Sequence, residues 1–440
     1  MFALVDGNNF YVSIERAFRP ALKTRPVVVL SNNDGCAIAR SNEAKVLGIK
    51  MGQPWFECKQ LAEKHGVVAL SANFTLYGDM SDRMMSIAAG LGPLQEIYSI
   101  DESFIDLTGI RGDVTVRAHV MRERILEWIG IPTGIGIGAT KTLAKLANHI
   151  AKSADRKPGS YPADLARVCN LHALPASDLD AVLAATDVGE VWGVGRRISE
   201  QLVYEGVTNV LQLTQMDPAT VRRRWSIVLE RTVRELQGQS CITLEDQPPP
   251  KKEIAFTRSF GQPLTAMSDL VEAISTFASG SAIKLRRQGS LAGQVLVFIH
   301  TSPFRPGPKY SRSMTVSLRR PTSDTSLLVG AAVAGLQAIY KPGFDYIKAG
   351  VMLLDLQSDT IRQYELVLEN SDDGVNDASV DNQRQALMST VDRLNDRYGK
   401  GTLKLGSEGL AGNKGAWLMR QQLLTPQYTT RWSDVPVARA

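Results

Sequence analysis

Residues 97–107 read IYSIDESFIDL, and two apolar, strand-like arms, EIYSI at 96–100 and SFIDL at 103–107, meet at Asp101-Glu102. The pattern predicts a β-hairpin with an acidic tip. Upstream, residues 2–5 are a short apolar strand ending on Asp6, residues 9–18 a helix, and residues 26–30 (PVVVL) a second buried strand. Downstream, residues 131–137 are a glycine-containing strand that runs into a helix over about 141–152. That order predicts an α+β domain on a mainly antiparallel sheet. If the hairpin pairs beside the first strand, Asp6, Asp101 and Glu102 converge. Uncompensated, three carboxylates repel and raise one another's pKa. A pair of hard cations such as Mg²⁺ resolves the repulsion and would activate a hydroxyl and stabilise a leaving pyrophosphate. Asp-Glu at a hairpin tip also reads as a solvated turn, and spacing alone does not choose.

Asn8, Asn9, Phe10 and Tyr11 follow Asp6 directly, so a turn there places backbone N–H groups at a helix N-terminus, an anion site. Phe10 and Tyr11 then lie either beside what binds or in the core. Residues 134–139 (GIGIGA) fit a relaxed dinucleotide-binding pattern, but that fingerprint needs a parallel βαβ unit with an acidic residue ending a second strand. Asp155 lies in a basic stretch instead, and the glycines are expected to permit close backbone packing. On the helix that follows, Leu143, Leu146, Ala147 and Ile150 share one face. Lys141, Lys145 and Lys152 line the other, either solvated or offered to phosphates. Residues 192–197 (WGVGRR) have the form of a helix-hairpin-helix, in which Gly193 and Gly195 let the backbone approach a DNA phosphate and Arg196 and Arg197 add charge.

The stretch QPPPK at 247–251 is a stiff, extended linker. After it the elements read β-α-β-β-α-β, the ferredoxin-like plan. Across the 440 residues the formal net charge is only +5, but residues 251–320 hold eleven Lys/Arg against three Asp/Glu, and residues 355–381 hold eight acidic residues against one basic. A basic domain followed by an acidic linker is expected. With 44% hydrophobic and 22% charged residues, disordered and collagenous classes are excluded. Four scattered cysteines argue against disulfide or zinc frameworks. No apolar run approaches a membrane span and the N-terminus lacks a signal-peptide pattern, so no membrane association and a cytoplasmic location are expected.

Seven stretches together carry a resemblance: MFALVDGNNFYVSIERAF, PVVVLSNNDGCAIARSNEAKVLGIKMGQPWF, YSIDESFIDLTG, GIGIGATKTLAKLANHIAK, VWGVGRRIS, VLERTVRELQG and, near the end, TPQYTTRWSDVPV. In this order they make the chain resemble the Y-family translesion DNA polymerases over nearly its whole length. The resemblance implies a right-hand polymerase: palm with fingers over 1–165 (fingers about 29–77), thumb with helix-hairpin-helix over 166–245, and a ferredoxin-like little finger over 251–355. An acidic linker (356–382) and a C-terminal region (383–440) follow.

It also implies that Asp6, Asp101 and Glu102 hold two Mg²⁺ ions with the Gly7 carbonyl, and that Tyr11 is the steric gate against a ribose 2′-hydroxyl. Phe10, Lys45 and Lys152 would meet the incoming nucleotide, with a phosphate role plausible for Lys45 and doubtful for Asn42. Arg286 and Arg287 would grip DNA from the basic domain. The activity implied is error-prone nucleotidyl transfer past lesions in the SOS response to DNA damage. Primer-template DNA and dNTPs would be bound, and a UmuD-type dimer and RecA would be partners. A sliding clamp is a possible further partner, but the place of its binding motif reads QYELVL at 363–368, keeping the glutamine and lacking the aromatic residue. Two rivals stand beside this reading. A non-catalytic damaged-DNA-binding repair scaffold would not need the acidic trio, and a nucleotide cyclase would have no use for the basic domain or the thumb motif.

Overall fold

The computed structural model describes residues 1–245, 249–360, 377–409, 415 and 417–437. The chain forms two compact units, one of Met1–Pro248 with Leu423–Ala440, the other of Pro249–Gln422. The QYELVL stretch and most of the acidic linker lie outside the described residues.

In the first unit the strands β1 (Phe2–Gly7), β5 (Leu94–Ile97), β6 (Glu102–Asp106), β7 (Thr133–Gly138) and β8 (Val168–Asn170) make one sheet in the order β5-β6-β1-β7-β8. The expected hairpin is present, since β5 and β6 pair antiparallel and β6 lies beside β1 with Asp6 opposite Glu102. One departure from antiparallel order occurs at the edge, where β7 and β8 run parallel. A smaller sheet, β3-β2-β4, joins β2 (Val27–Leu30), β3 (Ala37–Arg40) and β4 (Val68–Ser71). Helices α1 (Phe10–Phe18), α2 (Asn42–Val46), α3 (Trp55–His65), α4 (Phe74–Ala88), α5 (Val114–Ile129) and α6 (Lys141–Arg156) cover the two sheets. A small core of Val28, Leu30, Ala37, Ala44, Ile49 and Cys58 sits under the smaller sheet. Burial of each such aliphatic side chain contributes about 1.5–3 kcal/mol.

Close packing accounts for the glycines of β7. A Cβ on Gly136 would stand 2.1 Å from the Asn148 backbone nitrogen and 2.3 Å from the Ala144 carbonyl oxygen, and one on Gly138 would stand 2.6 Å from the Leu143 Cβ. Helix α6 therefore lies directly on the bare backbone of its neighbouring strand. Its far side, with Leu143, Leu146, Ala147 and Ile150, packs into the core of five short helices. These are α7 (Ala176–Ala184), α8 (Arg196–Tyr204), α9 (Val210–Thr214), α10 (Pro218–Arg224) and α11 (Ile227–Leu236). Thr140 caps α6 by accepting from the Leu143 N–H, and its hydroxyl donates to the Glu235 carbonyl at 2.9 Å.

The second unit keeps the expected element order: β9 (Ile254–Leu264), α12 (Met267–Arg287), β10 (Ser290–Thr301), β11 (Ser311–Thr322), α13 (Thr325–Ile339) and β12 (Tyr346–Ser358). All neighbours in its sheet, β11-β10-β12-β9, are antiparallel. Each helix thus crosses over one intervening strand, the split βαβ arrangement. Val295, Val297, Ile299, Val351 and Leu353 point toward the two helices and are fully buried. Helix α14 (Asp377–Tyr398) follows.

Candidate active site

Strand β1 ends at Asp6-Gly7, and Asn9, in the left-handed region at φ 48°, turns the chain into α1. The Gly7 N–H donates to the Asp101 carbonyl at 2.8 Å, which fastens the hairpin tip to the strand end. Ser99 shapes that tip, its hydroxyl accepting from the Glu102 N–H at 3.1 Å and donating to the Asp101 carboxylate at 2.7 Å. Asp6, Gly7, Tyr11, Lys45, Asp101 and Lys152 line a single cavity of about 340 Å³. Phe10 reaches the cavity with an edge but is 4% exposed and belongs chiefly to the core.

The carboxylates do not form one three-membered cluster: among the described residues no group of three acidic, His or Cys side chains converges closely enough to hold a metal ion. Asp6 and Glu102 lie side by side, while Asp101 turns to Ser99 on the cavity wall. Two lysines of α6 fill the gaps. Lys152 pairs with Asp6, and Lys145 pairs with Glu102 at 2.8 Å. Lys141 is buried and pairs with Glu96 at 2.7 Å. The reading of this lysine face as solvated is therefore corrected, since Lys141 is buried and Lys145 and Lys152 are half-buried in ion pairs. Both sides of α6 are covered, and its lysines meet the acidic groups of the sheet. Lys145 also lies 4.3 Å from the Tyr98 ring centroid and 5.4 Å from that of Trp192, which brings the helix-hairpin-helix tryptophan over the Glu102 ion pair.

Burial dominates the electrostatics. It raises Asp6 to about 7, with Lys152 opposing and Glu102 adding to the rise. Burial also works to raise Glu102, but hydrogen bonds from Lys145 and with Asp6, and the charges of Lys145 and Lys152, outweigh it and hold Glu102 below the usual carboxylate range. Asn148 donates to Asp6 at 3.0 Å. A buried carboxylate this poorly compensated, beside a second one and lined by oxygen donors, suits a hard divalent cation.

Four cations line the cavity, Arg40, Lys45, Lys152 and Arg156. Burial, then Arg156, Arg40 and Lys152, push Lys45 down to about 8. Its ammonium donates to the Asn9 side-chain oxygen at 2.5 Å, while Asn42 accepts from Asn9 at 3.0 Å and does not line the cavity. Arg40 and Arg156 line the cavity and escaped the sequence reading. Arg156 was within reach of it, since it sits four residues after Lys152 on the same helical face. Tyr11 stacks on Tyr77 with centroids 4.4 Å apart and planes 15° apart, and meets Phe74 edge-on at 6.1 Å. Burial, then Asp101, raise the Tyr11 hydroxyl pKa.

Away from the cavity, Gly193 (φ 90°) and Gly195 are exposed at the turn before α8, with Arg196 and Arg197 exposed beside them. Arg196 pairs with Glu200 at 2.8 Å along the helix surface. In the second unit, the expectation that Arg286 is offered to DNA is corrected. Its guanidinium clasps both oxygens of Asp392 on α14 at 2.7 Å and also donates to the Ser323 carbonyl at 2.7 Å, and it is 12% exposed. Arg287 is 60% exposed and pairs with Asp396 at 2.9 Å. The sheet face away from the helices instead carries a row of hydroxyls on β11: Ser311, Ser313, Thr315 and Ser317, opposite His300, Phe298, Leu296 and Gln294.

This fold is shared with solved Y-family polymerases. A Y-family DNA polymerase chimera of Dbh and Dpo4 matches with a TM-score of 0.64 at 17% identity, covering 81% of this chain and all of that one. An insertion ternary complex of Dbh DNA polymerase matches with a TM-score of 0.51 at 16% identity, over 81% and 100%. The fold is therefore that of the Y-family DNA polymerases. The impB/mucB/samB family matches residues 5–149 and its C-terminal domain matches residues 251–366, and the chain belongs to that family. Residues 385–438 match a domain of unknown function. Among similar proteins, ImpB of Salmonella typhimurium is 42% identical over the full length of both chains, and UmuC of S. typhimurium LT2 is 42% identical over 99% of each. DNA polymerase IV of Brucella melitensis is 26% identical over 93% of this chain and 86% of its own. The chain is accordingly an enzyme, an error-prone translesion DNA polymerase. Y-family polymerases use divalent metal ions. Among the described residues no helix is long and apolar enough to cross a membrane.

Proposed function

We propose that the cavity at the end of β1 is where this polymerase joins a dNTP to the 3′ end of a primer opposite damaged template. The observation that carries the reading is the pairing of Asp6 with Glu102 on adjacent strands, beside a cavity lined by four cations. Asp6, Asp101, Glu102 and the Gly7 carbonyl would hold two Mg²⁺ ions. When bound, these supply a lowered pKa at the primer 3′-hydroxyl and charge stabilisation at the leaving pyrophosphate. Arg40, Lys45, Lys152 and Arg156 draw in the triphosphate and offset its charge. Lys152 and Asn148 hold the Asp6 carboxylate in place. Tyr11, which lines the cavity, would set its ring against a ribose 2′-hydroxyl.

Duplex DNA is gripped through its phosphates, by the Gly193–Gly195 turn with Arg196 and Arg197 and by the hydroxyl row of the second unit. Such contacts give salt-dependent binding with little sequence preference. The setting is the SOS response in the cytoplasm, with a UmuD-type dimer and RecA as partners and clamp binding through 363–368 as a weaker attachment. Primer extension past an abasic site tests the assignment. An Asp101→Asn/Glu102→Gln double variant is expected to lose extension while keeping DNA binding. Extension at the wild-type rate would end the metal-ligand assignment.

A further inference from the structure

Glu15 lies on α1, one turn after Tyr11, and is fully buried. Its Oε1 accepts two hydrogen bonds, from the Tyr77 hydroxyl at 2.7 Å and from the Thr425 hydroxyl at 3.0 Å. Tyr77 is the ring on which Tyr11 stacks. A continuous path therefore runs from the C-terminal segment, through Thr425, Glu15 and Tyr77, to Tyr11.

The segment is bound at several points. Because Thr425 spends its one hydroxyl proton on Glu15, its oxygen is left to accept, and the Asn73 amide donates to it at 3.2 Å. Asn73 also donates to the Thr425 and Pro426 carbonyls at 3.1 and 3.2 Å, and its side-chain oxygen caps α4 through the Leu76 N–H. Ser71 and Leu423 exchange two hydrogen bonds of 3.0 Å, and Tyr428 stacks on Phe18 at 4.9 Å. Residues 423–428 thus tie down α1, which carries Tyr11, and the start of α4, which carries Phe74 and Tyr77.

We propose that Thr425 is a positioning residue for sugar selection, holding Tyr77 and hence the Tyr11 ring against the nucleotide through Glu15. The inference rests on the reading of Tyr11 as the steric gate. A dNTP and an rNTP differ by one oxygen, so the gate discriminates only while its ring is held within a fraction of an ångström. Tyr77 shares its acceptor with Thr425. When Thr425 is silenced, a buried carboxylate with an unpartnered Oε2 loses one of two donors and re-forms its bonds.

The test compares single-nucleotide insertion of a dNTP and its rNTP by the full-length protein with whatever partners its activity requires. Thr425→Val keeps the shape and removes the hydroxyl, Thr425→Ser keeps the hydroxyl, and Tyr77→Phe breaks the path from the other side. Expected for Thr425→Val and Tyr77→Phe is an about fivefold loss of dNTP-over-rNTP discrimination, carried by a lower KM for the rNTP with kcat for the dNTP little changed. Thr425→Ser should behave as wild type. Wild-type discrimination in both Thr425→Val and Tyr77→Phe, alongside its collapse in Tyr11→Ala, would overturn the proposal and leave the gate standing. Unaltered discrimination in Tyr11→Ala would remove the gate reading itself. Tyr77→Phe keeps the question open to disproof if Thr425→Val fails to fold.

Discussion

The Lys152 ammonium and the Asp6 carboxylate are ion-paired at the centre of the site, and yet Asp6 stays raised to about 7. One lysine does not repay the burial of a carboxylate that also faces Glu102. The remaining deficit makes the site receptive to added positive charge.

Divalent-ion binding should therefore be proton-linked. Below about 7 a cation must displace the Asp6 proton, so apparent Mg²⁺ affinity is expected to fall about tenfold per pH unit there. Thermal melting with and without Mg²⁺ at pH 6 and pH 8 checks it: a larger stabilisation at pH 8 is expected, and none in Asp6→Asn. Without divalent ions the sign reverses. A carboxyl raised from its ordinary 3.8 contributes stability that is full below that value and lost as pH rises through about 7. Asp6→Asn should then melt higher than wild type at pH 8 and no higher at pH 4.

Lys45 carries its charge only below about 8 in the free enzyme. As pH rises through that value, kcat/KM for dNTP should gain a falling limb. Lys45→Arg, always charged, should lack that limb, and Lys45→Met should raise the dNTP KM about tenfold at pH 7. Steady-state insertion across pH 6.5–9.5 reads all three, and a falling limb that survives in Lys45→Arg would assign it to another group.

Gly136→Ala forces a methyl into the backbone of α6, the helix that carries Lys145, Asn148 and Lys152. A loss of about 3 kcal/mol or more in urea unfolding is expected, along with lost activity. Gly78→Ala, on α4 with open space around it, should be neutral or stabilising and serves as the control.

Arg286→Ala should act on stability rather than on DNA. Removing it strands Asp392 in a half-buried setting, at a cost of about 2 kcal/mol. The salt slope of duplex binding should stay unchanged, as fluorescence anisotropy across a salt series will report. A flattened slope would restore Arg286 to the DNA surface.

The hairpin was legible because it rests on strand alternation and a turn, which are local, whereas its place beside β1 joins residues about 100 positions apart and stood only as a condition. The glycines of β7 were readable for the same reason: on a strand, alternate residues share one face. What the lysines of α6 meet was not readable. Periodicity placed Lys141, Lys145 and Lys152 on one face of α6, but whether water, phosphate or Glu96, Glu102 and Asp6 lies opposite depends on how that helix packs. Arg286 misled for a related reason, since a basic block says nothing of the aspartates that α14 brings to it. Glu15 and Thr425, 410 residues apart, leave no common local pattern. The one sign was a carboxylate in the middle of an apolar helical face.

The docking of residues 423–428 onto α1 and α4 also sets an order in time. A ribosome completes the first 248 residues, then the whole of the second unit, before it emits the piece that bonds Glu15 and Asn73. Until then Glu15 would have the Tyr77 hydroxyl as a donor and not yet that of Thr425. A chain stopped short of residue 423 would keep the Tyr77–Glu15 bond and the Tyr11–Tyr77 stack, and would lack the Thr425 hydroxyl that shares Glu15.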